Sequence, residues 1–464
     1  MKFTLVALVG LIFSLSASPF IRAEAEVRTV HRELPTYGFS DPDPVPNIGR
    51  IYPYHRFDGY ASEPQARAWS FVELENDYIR VYITPEIGGK IWGAVEKSTG
   101  HEFIYFNHVV KFRHIAMRGP WTSGGIETNF GVIGHAPTCS TPVDYLTREN
   151  PDGSVSCWIG AIDLPSRTVW RLEINLQPDK SYFTTHALWY NPTYRESSYY
   201  HWMNAGVKAD GNLEFAYPGT HYIGHDGSLH DWPRHSNGHD LSWYEQNDFG
   251  RAKSYHVLGE ATGFFGGYWH ADDFGFGRYA RYDEKPGKKL WIWGLSRQGM
   301  IWEDLLTDTD GQYVEIQSGR LFNQEASDSI RTPFKHRSFS PGSADTWTEY
   351  WFPVLNTGGI TQGSPQATVN LVSENDQLTI YLSANQQLRD TLVIEPEEGD
   401  TLSFNLDLEP TDFWERTFPF HGDPQRTGVR IGDAYIIPPG GRSGQSLSRP
   451  LELEGFDWST VQGM

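Results

Sequence analysis

The chain reads as an all-β protein of antiparallel sheets packed face to face, and three observations predict this. From about residue 67 to 355, short segments alternate polar and apolar residues with a period of two, as in Trp170-Arg171-Leu172-Glu173-Ile174-Asn175-Leu176. Gly, Pro, Asn and Asp interrupt these segments at short intervals, as turns require. No long segment carries an apolar stripe at helical spacing. Such strands bury one face each by stacking sheets.

The elements follow in order. Residues 1–25 have the pattern of a cleaved signal peptide: Lys2, an apolar run over residues 5–15, and the small-x-small site Ala23-Glu24-Ala25. That run is too short for a permanent membrane helix, so the expectation is a periplasmic or secreted protein. Residues 26–66, with Asp41-Pro42-Asp43-Pro44-Val45-Pro46, read as an extended arm. The main β unit spans 67–356. Within it, strand Tyr78-Ile79-Arg80-Val81-Tyr82-Ile83 ends in Thr84-Pro85-Glu86-Ile87-Gly88-Gly89, and a second strand begins at Lys90-Ile91-Trp92. Two glycines at that point permit positive φ or close approach of another backbone. The run from Thr357 to Pro365 is a Gly/Ser/Pro break, and residues 364–464 read as a small β-domain. Support of the main unit is its first expected role, with glycan binding and dimer formation as alternatives.

Composition narrows the partners. The formal net charge is −20, and loss of residues 1–25 removes Lys2, Arg22 and Glu24, taking it to about −21. Nucleic acids and anionic membranes need a basic face, so neither is expected as a partner. The 17 Trp and 24 Tyr supply flat amphipathic faces suited to sugar rings. Cys139 and Cys157 are the only cysteines; one short-loop disulfide or two buried thiols both fit an exported chain. No cofactor motif is present. The run His221, His225, His230, His235 and His239 lacks any zinc-site spacing and reads as a lid loop, so no metal is expected.

Three further segments concentrate chemistry. The Gly-rich stretch from Arg113 to His135 holds His114, Arg118, Trp121, Glu127, Asn129 and His135, and loops of this kind on a β scaffold tend to carry sites. The second is Tyr199-Tyr200-His201-Trp202-Met203-Asn204. The third is the strand Tyr313-Val314-Glu315-Ile316-Gln317, where an inward carboxylate is costly to bury unless paired or functional.

The Gly88-Gly89 hairpin, the His201 segment and the Glu315/Gln317 pair resemble aldose 1-epimerases and the wider galactose mutarotase-like superfamily, in an exported branch. The resemblance implies a β-supersandwich that acts on or binds carbohydrate. It implies Glu315 as general base and His201 as general acid, with Glu127 and His135 as assisting or alternative acid–base groups. His114, Arg118, Trp121, Asn129, Trp202, Trp269 and Gln317 would then contact the sugar. The spacing from His201 to Asn204 differs by one residue from the family pattern, and Ser123-Gly124-Gly125 replaces its His-Gly step. A glycoside hydrolase using Glu127 and Glu315, a lyase acting on a uronate, and a glycan-binding protein without chemistry are the alternatives.

Overall fold

The computed structural model describes residues 24–45, 57, 59–114, 119–131, 134–321 and 338–440. Residues 1–23 of the expected signal segment, Arg118, and residues 441–464 of the expected C-terminal unit therefore lie outside the described residues.

The period-two segments form two large sheets. One has thirteen strands, and its central run is Lys253–Leu258, Gly287–Ile292, Tyr313–Gly319, His201–Lys208, Ile126–Phe130 and Lys90–Glu96. The other has eight strands, centred on Phe274–Ala280, Ala344–Leu355 and Phe183–Tyr190. Antiparallel pairing places directly opposed residues on one face, so each strand sends alternate side chains to opposite sides. Met203, Ala205, Val207, Val314, Ile316, Leu290 and Ile292 point between the sheets, where they meet Trp170, Trp189, Trp347 and Trp351 of the smaller sheet. Burial of this shared apolar layer holds the two sheets together.

The hairpin forms as Ile79–Thr84 and Lys90–Glu96. Gly88 and Gly89 both have φ in the left-handed region, at +67° and +69°. A Cβ on Gly88 would stand 2.7 Å from the Thr138 carbonyl oxygen. Both uses of glycine, turn and close approach, therefore meet here.

Part of the expected lead-in arm is integral to the large sheet. Glu26–Tyr37 pairs with Gln65–Glu75 over eleven residues, from Glu26 opposite Glu75 to Thr36 opposite Gln65. Its polar alternation is satisfied by Arg28 and Arg32 reaching across to Glu73 and Glu75. Beyond Leu355, two four-stranded sheets enclose a separate apolar core that includes Val369, Ile380, Leu392 and Val429. Cys139 and Cys157 are buried free thiols.

Candidate active site

The face of the large sheet turned away from the smaller sheet, called the cleft face below, follows from register. Glu127 lies opposite Asn204, Asn204 opposite Gln317, Gln317 opposite Lys289, and Glu315 opposite Trp291. One face of four adjacent strands thus carries two carboxylates, two amides, an ammonium and an indole. All but Trp291 are at least nine-tenths buried.

Glu127 is fully engaged. Its Oε2 accepts from the Trp121 indole at 2.5 Å and its Oε1 lies 2.6 Å from His135 Nδ1. Burial pushes this carboxyl up, but the charge and hydrogen bond of His135, with Lys90 and Trp121, outweigh burial and hold it below its ordinary value. Glu315 has the opposite balance. Its Oε2 accepts from Gln317 at 2.8 Å. Burial raises its pKa; His135, a hydrogen bond from Asn204 and Lys289 only partly oppose this, and Glu127 adds to the rise. Two carboxylates under one imidazole are thereby pushed apart in acidity, a pattern suited to dividing acid and base roles.

His135 is held by its neighbours as well as by Glu127. The Trp202 indole donates to the Gly134 carbonyl at 3.1 Å, and the Ala136 N–H donates to Asn129 Oδ1 at 2.5 Å. The imidazole stands edge-on between Trp121 and Trp202, with ring centroids 5.4 and 5.0 Å away. Its side chain remains about one-fifth exposed. With Nδ1 on Glu127, Nε2 is the nitrogen left for a substrate.

Lys90, at the mouth of the Gly88-Gly89 hairpin, shapes the floor. Its ammonium donates to the carbonyls of Thr122 and Ser123 at 2.6 and 3.1 Å. Burial pulls its pKa down to about 8, although Glu127, Cys139 and Glu315 oppose this. Several buried polar atoms on this face lack a hydrogen-bond partner among the described residues: Asn129 Nδ2, Asn204 Oδ1, Gln317 Oε1, Tyr313 Oη and the indole nitrogens of Trp291 and Trp293. Native interiors leave few such atoms, so six of them on one face call for an explanation.

His201 is not in this group. It lies opposite Phe130 and so faces between the sheets, while Trp202 faces the cleft. There its Nε2 is 2.9 Å from Lys285 Nζ, and its ring lies 4.4 Å from both Phe130 and Trp347. Burial, then the charges of Lys285 and Arg320, drive its pKa well below the ordinary value. Lys285 and Arg278 reach Glu349 at 2.7 and 3.1 Å, and Ser318 Oγ donates to the same carboxylate at 2.8 Å. This set is a fully buried ionic cluster behind the cleft.

The remaining expected residues divide similarly. Trp121, Glu127, Asn129, His135, Trp202, Glu315 and Gln317 come together. Trp269 does not: it is buried against Phe274 and Phe276 of the smaller sheet, with its indole on the Lys208 carbonyl. His114 is exposed in a turn. The His221 to His239 run contributes His225, which packs on Trp291 and meets Ser254 Oγ at 3.3 Å. No group of three potential metal ligands occurs among the described residues. Lys90, Asn204, Lys289, Trp291 and Trp293 join the site without a sequence motif that marks them. The alternation Lys289-Leu290-Trp291-Ile292-Trp293 is the signal that groups the last three on one face.

Comparison with known proteins adds a family. The family model for the domain of unknown function DUF5107 matches residues 46–354. The chain belongs to this family. Among solved structures, a TPR-domain-containing protein from Parabacteroides distasonis is 24% identical with a TM-score of 0.62; the match covers 71% of this chain and 55% of that one. The chain therefore spans about half the length of that relative. Galactose mutarotase-like proteins from Clostridium acetobutylicum and Lactobacillus casei also match, at 8% and 12% identity and TM-scores of 0.45 and 0.41. Each match covers 61% of this chain, and 95% and 99% of the respective relative. The DUF5107 chain adopts the all-β sandwich class expected from its sequence, with galactose mutarotase-like proteins among its structural neighbours.

Proposed function

We propose that this DUF5107 protein is an exported carbohydrate-active enzyme in which Glu315 is the general base and His135, oriented by Glu127, the general acid. The observation that carries the reading is the shared cleft face: Glu127, His135 and Glu315 lie together, ringed by unpartnered amide and indole atoms. Export is supported by Lys2, the apolar run over residues 5–15 and Ala23-Glu24-Ala25.

The chemistry divides as follows. Glu315, its basicity raised by burial, accepts a proton from a sugar hydroxyl or an acidic C–H. In the proposed step His135 donates a proton from Nε2 to the ring or glycosidic oxygen while Nδ1 stays on the Glu127 carboxylate. After donation the neutral ring keeps its Nδ1 proton, so Glu127 holds orientation through both states. In mutarotation, Glu315 would take the anomeric hydroxyl proton while His135 protonates the ring oxygen as the C1–O5 bond opens; closure on the other face reverses both transfers. Glu127 with both oxygens occupied is a poor proton donor, which favours His135 over Glu127 as acid.

The test is a screen of the mature protein on neutral and acidic sugars, following anomeric exchange, new reducing ends and new double-bond absorbance together. Glu315→Gln is expected to lose about 10²–10⁴-fold of whichever rate appears. Undiminished turnover in that variant would remove Glu315 from the role. Binding without turnover by either protein would leave a glycan-binding protein.

A further inference from the structure

The strand beside Glu315 carries aromatic groups that the acid–base chemistry does not use. Trp291 lies opposite Glu315 in register, and Trp293 follows on the same side of the chain. Their rings meet edge to face at 6.3 Å, and Trp293 continues to Trp302 at 6.0 Å. Trp302 sits on the short helix Ile301–Leu306, where Met300, Ile301 and Leu305 are exposed beside it. His225 closes the other end by packing on Trp291 at 5.5 Å. The row thus starts next to the proposed base, passes through buried Trp293 and reaches partly exposed Trp302 beside exposed apolar residues.

Packing alone leaves part of this arrangement unexplained. A buried tryptophan ordinarily finds an acceptor for its indole N–H. Neither Trp291 nor Trp293 has one among the described residues, although Trp293 is only 9% exposed, and the Tyr313 hydroxyl against Trp293 is also unpartnered. Three polar hydrogens beside apolar ring faces suit a ligand that offers hydroxyl oxygens at its edges and C–H groups on its faces. A sugar chain has both.

We propose that Trp291 and Trp302, the two partly exposed indoles on either side of buried Trp293, form successive subsites for an oligosaccharide whose reacting unit lies at Glu315. The substrate class is then a chain of two or more sugar units, not a free monosaccharide. This rests on the carbohydrate reading of the same cleft. Trp293 packs the apolar cluster beneath them; a monosaccharide at Glu315 would reach Trp291 alone, whereas a chain extends on to Trp302.

The experiment uses the full mature Glu315→Gln protein and titration calorimetry. The probes are gluco-, galacto-, manno- and xylo-oligosaccharides of one to four units. At least one series is expected to bind about tenfold tighter at three units than at one. Trp302→Ala in that background is expected to lose this gain, and Trp302→Phe to keep most of it. Should Trp302→Ala fail to fold by circular dichroism, Trp302→Leu, which keeps apolar contact without the ring plane, takes its place. Affinity flat with chain length, no binding by any probe, or a gain untouched by loss of the Trp302 ring would each overturn the subsites. Undiminished turnover by Glu315→Gln would instead overturn the acid–base reading and leave the chain-length result to stand separately.

Discussion

Two buried glutamates of this protein, Glu315 on the cleft face and Glu349 between the sheets, have opposite fates. Glu349 meets Arg278, Lys285 and the Ser318 hydroxyl, and although burial pushes its pKa up, those cations bring it down to about 2. Glu315 has only amide hydrogen bonds, from Gln317 and Asn204, with no cation in salt-bridge contact among the described residues, and burial leaves its pKa raised. Burial is common to both. What separates them is whether the charge is matched on the spot, and only the unmatched carboxylate retains a useful affinity for protons.

The sharpest way to break the contrast is to remove the matched charge. Glu349→Gln leaves Arg278 and Lys285 uncompensated in the sandwich and is expected to cost about 3–5 kcal/mol in denaturant unfolding. Because the folded pKa of Glu349 lies below its ordinary 4.5, its contribution is present above pH 4.5 and fades as pH falls toward 2. Unfolding curves across that window should therefore converge for wild type and variant. A variant equally unstable at pH 3 and pH 7 would remove the ionic account.

Next in size is the link between the two cleft carboxylates. Glu127→Gln keeps the shape but takes the charge from His135, and is expected to lower turnover about 10²-fold, with a loss of stability smaller than that of Glu349→Gln because His135 is partly exposed. Unchanged turnover would show that His135 needs no anionic partner. The smallest effect concerns Glu315 itself. A raised folded pKa makes the ionised side chain a stability cost that grows as pH rises through it, so Glu315→Gln should stabilise the fold by about 0.5–2 kcal/mol at neutral pH. That gain should vanish below about pH 4.5, the reverse of the Glu349 trend. A destabilised Glu315→Gln would mean that the carboxylate is matched after all.

Much of this architecture was legible in the sequence, for a physical reason. Strand alternation and turn residues are local signals, so the β class and the Gly88-Gly89 hairpin could be read directly. Glu315 and Gln317 were legible because two polar residues at i and i+2 on an otherwise apolar strand must share a face. His201 and Trp202 were harder. Adjacent strand residues face opposite ways, and sequence alone does not say which of the two points at the cleft; register with Phe130 and Asn129 decides it. The same ambiguity applies to Trp269, whose large apolar ring suits a core and a sugar platform equally. The pairing of His135 with Glu127, eight residues apart, is a contact that no spacing rule encodes. Glu26–Tyr37 reads as an arm because its alternation is mostly polar; its pairing is completed by arginines crossing to Glu73 and Glu75.

The anchoring of His135 has a wider consequence. The proposed base grows from a central strand, where any shift would disturb the whole sandwich. The proposed acid rides on a loop fastened at three points, through Gly134, Ala136 and its own imidazole. Half of the proposed chemistry is therefore built into the sheet and half is held to it by hydrogen bonds. Loss of Asn129 or Trp202 would be felt at His135 while Glu315 stays in place.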